Sequence, residues 1–237
     1  MVAALAWGVL YLLQPWLLSQ RLGKNDPQLN LGPVSLSNKT EAPLSNSSID
    51  RGGIKFLLPN EATVSTTNFQ QTTLVRFPNG MLTFSGPLRD EDSIAFRAVR
   101  AHKDAEKLLT RQEFNSQLTL LQTAMLATPE QVKWWRLRSS QNQRAWLLLL
   151  VKFVALTDYS PLNSLTIRPL YPIASGEFRG FQFGDPDKSP YETHIDLFDG
   201  ANRHFAFDVS ALQGQQRVLT QEEINAMVAS IRPSSSH

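Results

Sequence analysis

Two histidines and two aspartates at alternating positions raise the question of chemistry in this 237-residue chain: His194 and Asp196 in "YETHIDLFDG", His204 and Asp208 in "ANRHFAFDV". The two runs read as antiparallel strands joined by a three-residue loop, Gly200-Ala201-Asn202, in which Asn202 tolerates the left-handed conformation. That register pairs Leu197 with Phe205 and Ile195 with Phe207 on one apolar face, whereas an even-numbered loop would mix polar and apolar residues on both faces. The other face then carries His194 opposite Asp208, with Asp196 diagonal to both His204 and Asp208. Two imidazoles and two carboxylates at cross-strand distance form a donor set for a divalent metal. The competing reading is a solvated or helix-covered face with ordinary hydrogen bonds, and it is preferred because Phe198 and Ala206 share the face.

Other chemistries find no support. The chain has no cysteine, which closes disulfide scaffolds, thiolate zinc sites and cysteine nucleophiles together. No G-x-S-x-G nucleophile elbow occurs, and "GGIKF" and "SGEFRGFQFG" lack the spacing of a phosphate-binding glycine loop. With 23 Lys and Arg against 21 Asp and Glu there is no global basic field, so nucleic acid is not an expected partner. No cofactor and no catalytic residue is nominated.

One local basic stretch stands out. "KWWRLRSSQNQRAW" interleaves Trp134, Trp135 and Trp146 with Lys133, Arg136, Arg138 and Arg144. On a helix, Lys133, Arg136, Ser140 and Arg144 share one face, which suits anionic lipid headgroups, nucleic acid or an acidic partner. The plainer expectation is a solvated basic face with the tryptophans packed into the core.

The elements that would carry these groups follow from periodicity and caps. "IKFLLP" alternates from Ile54 and ends at Pro59, and "TTLVRFPNGMLTFSG" reads as a hairpin turning at Asn79-Gly80, with Phe77 facing Leu82 and Val75 facing Phe84. Capping signals at Asp92 or Ser93, Thr110-Glu113 and Thr128-Gln131 predict helices over 93–109, 111–126 and 129–156. Lys152 inside "AWLLLLVKFVAL" makes that apolar run a core helix and not a membrane span. Strands return with "GEFRGFQFG" and the histidine hairpin, and Thr220-Glu223 caps a last helix that Pro233 stops. The fold class expected is α+β, an antiparallel sheet with packed helices over 54–233, containing a helical block at 93–156 and followed by a short tail, 234–237.

Residues 2–18 carry no charge, place Trp7 and Trp16 along the run, and are followed by Arg21 and Lys24. At ~1.5 Å per residue they span about 25 Å, close to a bilayer core, and no cleavage signature is present. The segment 1–20 is therefore expected to be a single-pass transmembrane anchor in the lipid bilayer, and the Ser-, Asn- and Pro-rich stretch 21–53 a flexible spacer. The basic flank favours a cytoplasmic domain, while the spacer's composition favours the extracytoplasmic (periplasmic) side, which is the side expected.

Strand, hairpin, late hairpin and a closing helix ending "ASIRP" together resemble the α/β/α sandwich of PsbP-like proteins, the extrinsic photosystem subunits and their relatives. The likeness covers Ile54–Phe84 and Gly176–Pro233 and implies a binding or assembly role on a membrane complex, without catalysis. The function expected is a non-catalytic accessory subunit that docks on other subunits of a larger complex. The alternative is a ligand-binding module or enzyme of the envelope, with a pocket between sheet and helices.

Overall fold

The computed structural model describes residues 14–24, 30–33, 35, 40–65, 72–89, 93–136, 138–158, 170–187, 192–211 and 218–234. The chain divides into two compact units, each assembled from two separated stretches: one from 1–33 and 90–167, the other from 34–89 and 168–237.

The second unit is built on sheet. Strands β1 (Leu44–Arg51), β2 (Ile54–Pro59), β3 (Thr63–Ser65), β4 (Thr72–Phe77) and β5 (Gly80–Leu88) come from its first stretch. Strands β6 (Leu170–Ser175), β7 (Phe178–Phe183), β8 (Glu192–Phe198), β9 (His204–Ala211) and β10 (Arg232–Pro233), with helix α7 (Gln221–Ala229), come from the second. A seven-stranded sheet runs β3-β4-β5-β9-β8-β7-β6 and a smaller one β1-β2-β10, all pairs being antiparallel. Alternation supplies the core. Phe56 of β2 meets Phe84 of β5 and Phe207 of β9 at ring-centroid distances of 5.2 Å each, and Ile224 and Met227 of α7 join the same cluster. Each fully buried phenylalanine contributes roughly 1.5–3 kcal/mol by leaving water.

Register shows where side-chain pattern decides and where it does not. In β8–β9 the pairs are Leu197 with Phe205 and Ile195 with Phe207, and Asn202 has φ 62°, the three-residue loop that the binary pattern selects. In β4–β5 the apolar face is Val75, Phe77, Leu82 and Phe84 as expected, but Val75 pairs with Leu82 and Phe77 with Gly80. The turn is thus Pro78-Asn79, and neither Asn79 nor Gly80 takes positive φ. Gly80 serves close approach: a Cβ there would overlap the Ser210 carbonyl of β9. A shift of two residues keeps every side chain on its face, so pattern alone cannot detect it.

The spacer expected over 21–53 is replaced in part by β1, whose Ser45 hydroxyl donates to the Leu58 carbonyl at 2.9 Å. Its alternation is hidden because Ile49 is its one fully buried apolar side chain. Ser234, expected in the tail, donates its N–H to the Gly53 carbonyl at 2.9 Å.

The first unit is helical: α1 (residues 14–24), α2 (Ile94–Ala101), α3 (Ala105–Leu108), α4 (Arg111–Asn115), α5 (Gln117–Met125) and α6 (Ser140–Asp158), with 3₁₀ turns at Pro129–Gln131 and Trp134–Arg136. The long helices expected are cut by further caps. Ser116 accepts the Thr119 N–H at 3.2 Å and starts α5 anew, and the 129–156 helix begins only at Ser140. Within α6, Lys152 is buried and its ammonium donates to the carbonyls of Leu31 (2.7 Å) and Ala127 (2.9 Å).

The transmembrane anchor is corrected. Among the described residues no helix is long and apolar enough to cross a membrane, so the single-pass, membrane-anchored assignment falls, and the extracytoplasmic side argued from the spacer loses the anchor it presupposed. The first described helix covers residues 14–24, about 16 Å at the usual rise. It has an inward stripe: Trp16 and Leu22 pack on the Val132 and Leu149 cluster, Ser19 is buried between them, and a Cβ at Gly23 would meet Pro129. Arg21 and Lys24 are exposed on its outer side. Trp7 and the rest of 1–13 lie outside the described residues.

Candidate functional site

Two groupings of functional side chains are formed, one in each unit. In the sheet unit, the β8–β9 loop is fixed by Asp199, whose carboxylate accepts from the N–H groups of Ala201 (3.0 Å) and Arg203 (2.8 Å) and from Arg203 Nε (2.6 Å). With the register locked, His194 falls opposite Asp208 and Phe198 opposite His204. Asp196 is wholly buried and its Oδ1 accepts from both rings, at 3.1 Å from His194 Nε2 and 2.5 Å from His204 Nε2. His194 Nδ1 donates at 2.5 Å to Asp208, whose side chain is half-exposed. His204 stacks on Phe198 with centroids 4.6 Å apart, and its Nδ1 is buried without a hydrogen-bond partner.

The electrostatics of this chain of four groups follow from that geometry. Burial by itself would drive the His194 proton off, but the Asp196 and Asp208 carboxylates outweigh it and raise its pKa to about 9. Burial would likewise raise Asp196, and the two imidazoles outweigh it, holding the carboxyl well below the usual carboxylate range. An imidazolium therefore lies between a buried and a rim carboxylate, in a network whose rings and carboxylates pair with one another except at His204 Nδ1. The divalent-metal expectation for His194, Asp196, His204 and Asp208 meets this fact directly: three of the four ring nitrogens are engaged by carboxylate oxygens. Among the described residues no group of three His, Asp or Glu side chains is arranged to hold a metal ion.

The neighbouring strand is fitted to the network. Gly180 of β7 pairs with Leu197, and a Cβ there would overlap the main-chain carbonyl of Asp196. Gly180→Ala should therefore push β7 away from β8 and cost about 1–3 kcal/mol by overpacking, read as a lowered urea midpoint. A midpoint unchanged from wild type would mean that the strand yields freely at this position.

The second grouping belongs to the helical unit. Trp134 and Trp135 are 54% and 61% exposed and meet edge to face at 5.8 Å, so the expectation that they pack into the core is overturned. Trp146, by contrast, is partly buried against Val132 and Leu149. The single helical face expected for Lys133, Arg136, Ser140 and Arg144 does not form, because α6 starts at Ser140 and the preceding residues turn as 3₁₀. Lys133, Arg136 and Arg144 are brought together all the same, around a pocket of about 330 Å3. The fold holds it open through Asn142, whose Oδ1 accepts the Lys133 N–H at 2.6 Å and ties the turn to α6. Lys133 also lies over the Trp135 ring at 5.7 Å, while Arg138 is exposed and does not line the pocket.

Glu113 is the residue that sequence reasoning missed here. It was legible as the capping partner of Thr110, and its Oε2 does accept the Thr110 N–H at 2.8 Å; its Oε1 also accepts from Arg144 Nη2. Burial would raise its pKa, and the Thr110 amide and the Arg144 guanidinium outweigh that and lower it. No periodic signal links residues 113 and 144. No family model matches the sequence, and no curated protein matches it.

Proposed function

We propose that the chain is a non-catalytic accessory or assembly protein that docks on an acidic surface of a partner subunit through Trp134, Trp135, Arg136 and Arg138. The observation that carries this reading is the exposure of two adjacent tryptophans among basic side chains. Tryptophan and arginine are the residues most enriched at the energetic centres of interfaces, and large aromatics standing in water next to cations suit a partner that is apolar at its centre and acidic at its rim. The resemblance to PsbP-like proteins read from the sequence implies the same kind of role. The histidine–aspartate network, in which both carboxylates are held by imidazoles and three of the four ring nitrogens are engaged, fits a scaffold better than a reaction centre.

The reading is tested in gently lysed source cells by size fractionation. The wild-type chain should run in an assembly well above its own 26.6 kDa. Trp134→Ser with Trp135→Ser should return it to the monomer position, since truncating two such anchors removes about 2 kcal/mol or more each. A wild-type chain that runs alone ends the proposal.

A further inference from the structure

The charge lining the 330 Å3 pocket is not balanced within the unit. Of its cations, Arg144 is neutralised by Glu113, whereas Lys133 and Arg136 have no carboxylate partner among the described residues. Neither Glu113 nor the adjacent Glu130 lines the cavity. The remaining polar lining comes from Gln131, Gln141 and Asn142, whose Oδ1 is already engaged by the Lys133 N–H, with Ala145 and Leu148 completing it. Helix α6 begins at this place with no acidic residue in its first turn, so the helix dipole adds to the positive field.

We propose that this pocket is a seat for a phosphate group. Two uncompensated positive charges match a dianion, and a guanidinium fork with an ammonium and two amides offers more donors than the two oxygens of a carboxylate can accept. A volume of about 330 Å3 exceeds the size of inorganic phosphate and leaves room for the organic part of a phosphate ester. The inference rests on the docking reading and sharpens it: the acidic feature of the partner is a phosphorylated side chain that enters the pocket, with apolar neighbours on the Trp134/Trp135 pair.

Calorimetric titration of the full-length chain with inorganic phosphate and with O-phosphoserine, at constant ionic strength set by chloride, tests it. Saturable binding at one site is expected, weakened about tenfold or more by Lys133→Gln with Arg136→Gln and unchanged by Arg138→Gln. Both substituted side chains reach solvent, and an unchanged far-ultraviolet spectrum shows that the variant folds. Tighter binding of O-phosphoserine than of phosphate identifies an ester as the natural ligand, and equal binding identifies free phosphate. Binding that does not saturate, or that survives the double substitution, overturns the proposal. The two readings fail separately: Trp134→Ser with Trp135→Ser should release the partner while leaving the titration with inorganic phosphate intact, and a variant that keeps its partner ends the docking reading alone.

Discussion

Asp196→Asn is expected to lower the unfolding free energy by about 3–5 kcal/mol, because it leaves the buried imidazoles of His194 and His204 facing a neutral amide. Removing one member of a buried charged network costs far more than the net worth of the network, since the desolvated partner is stranded. Urea unfolding followed by circular dichroism reads the effect, and a loss under about 1 kcal/mol would show that water or rearrangement rescues the site. Asp208→Asn offers the contrast. Its side chain is half-exposed, so solvent replaces the lost contact and the cost should be much smaller.

Stability should also fall as pH rises from about 6.5 to about 9. The unfolded imidazole of His194 releases its proton near 6.5, and the folded one keeps it to about 9. Between those values the folded chain binds more protons than the unfolded chain, so the slope of unfolding free energy against pH is negative. The contribution of the raised histidine is fully present below 6.5 and gone above 9, an interval worth on the order of 3 kcal/mol. Asp196 acts at the other end: its depressed pKa contributes stability above the ordinary carboxylate value of 3.8 that is lost as pH falls below it. Thermal midpoints measured through both pH windows check both limbs. In Asp196→Asn the alkaline limb should shrink, since the first of the two charges that hold the His194 proton is gone. A wild-type midpoint flat from pH 6.5 to 9 would contradict the assignment of His194 as an imidazolium.

Legibility from sequence varied with the kind of information each element carries. The histidine hairpin was readable because only one register sorts Ile195, Leu197, Phe205 and Phe207 away from His194 and Asp208, and a wrong choice would have been visible at every position. The register of β4–β5 was not, since an even slip leaves the faces intact and Asn79-Gly80 offered a turn that the contact of Gly80 with β9 overrides. Strand β6 went unread because Pro172 breaks its pattern; as an edge strand it loses nothing by lacking that donor. The pocket in the helical unit depends on a 3₁₀ turn and on Asn142, neither of which leaves a periodic trace. An apolar run reports the wish to leave water and not the place where it does so, and within the described residues 14–24 Trp16 and Leu22 meet that wish against Val132 and Leu149.

The pairing of β5 with β9 has a consequence for synthesis. These neighbours are joined by pairs such as Phe84 with Phe207, separated by more than half the chain, and the second stretch of the helical unit, 90–167, lies between them in sequence. Until residue 211 has been made, β5 has one bare edge and half of its apolar face uncovered, so the nascent sheet unit waits through translation of the entire intervening stretch. Fragments that stop short of β9 therefore carry an unpaired hydrophobic strand, and any expression strategy that cuts the chain between its two units produces a template for aggregation.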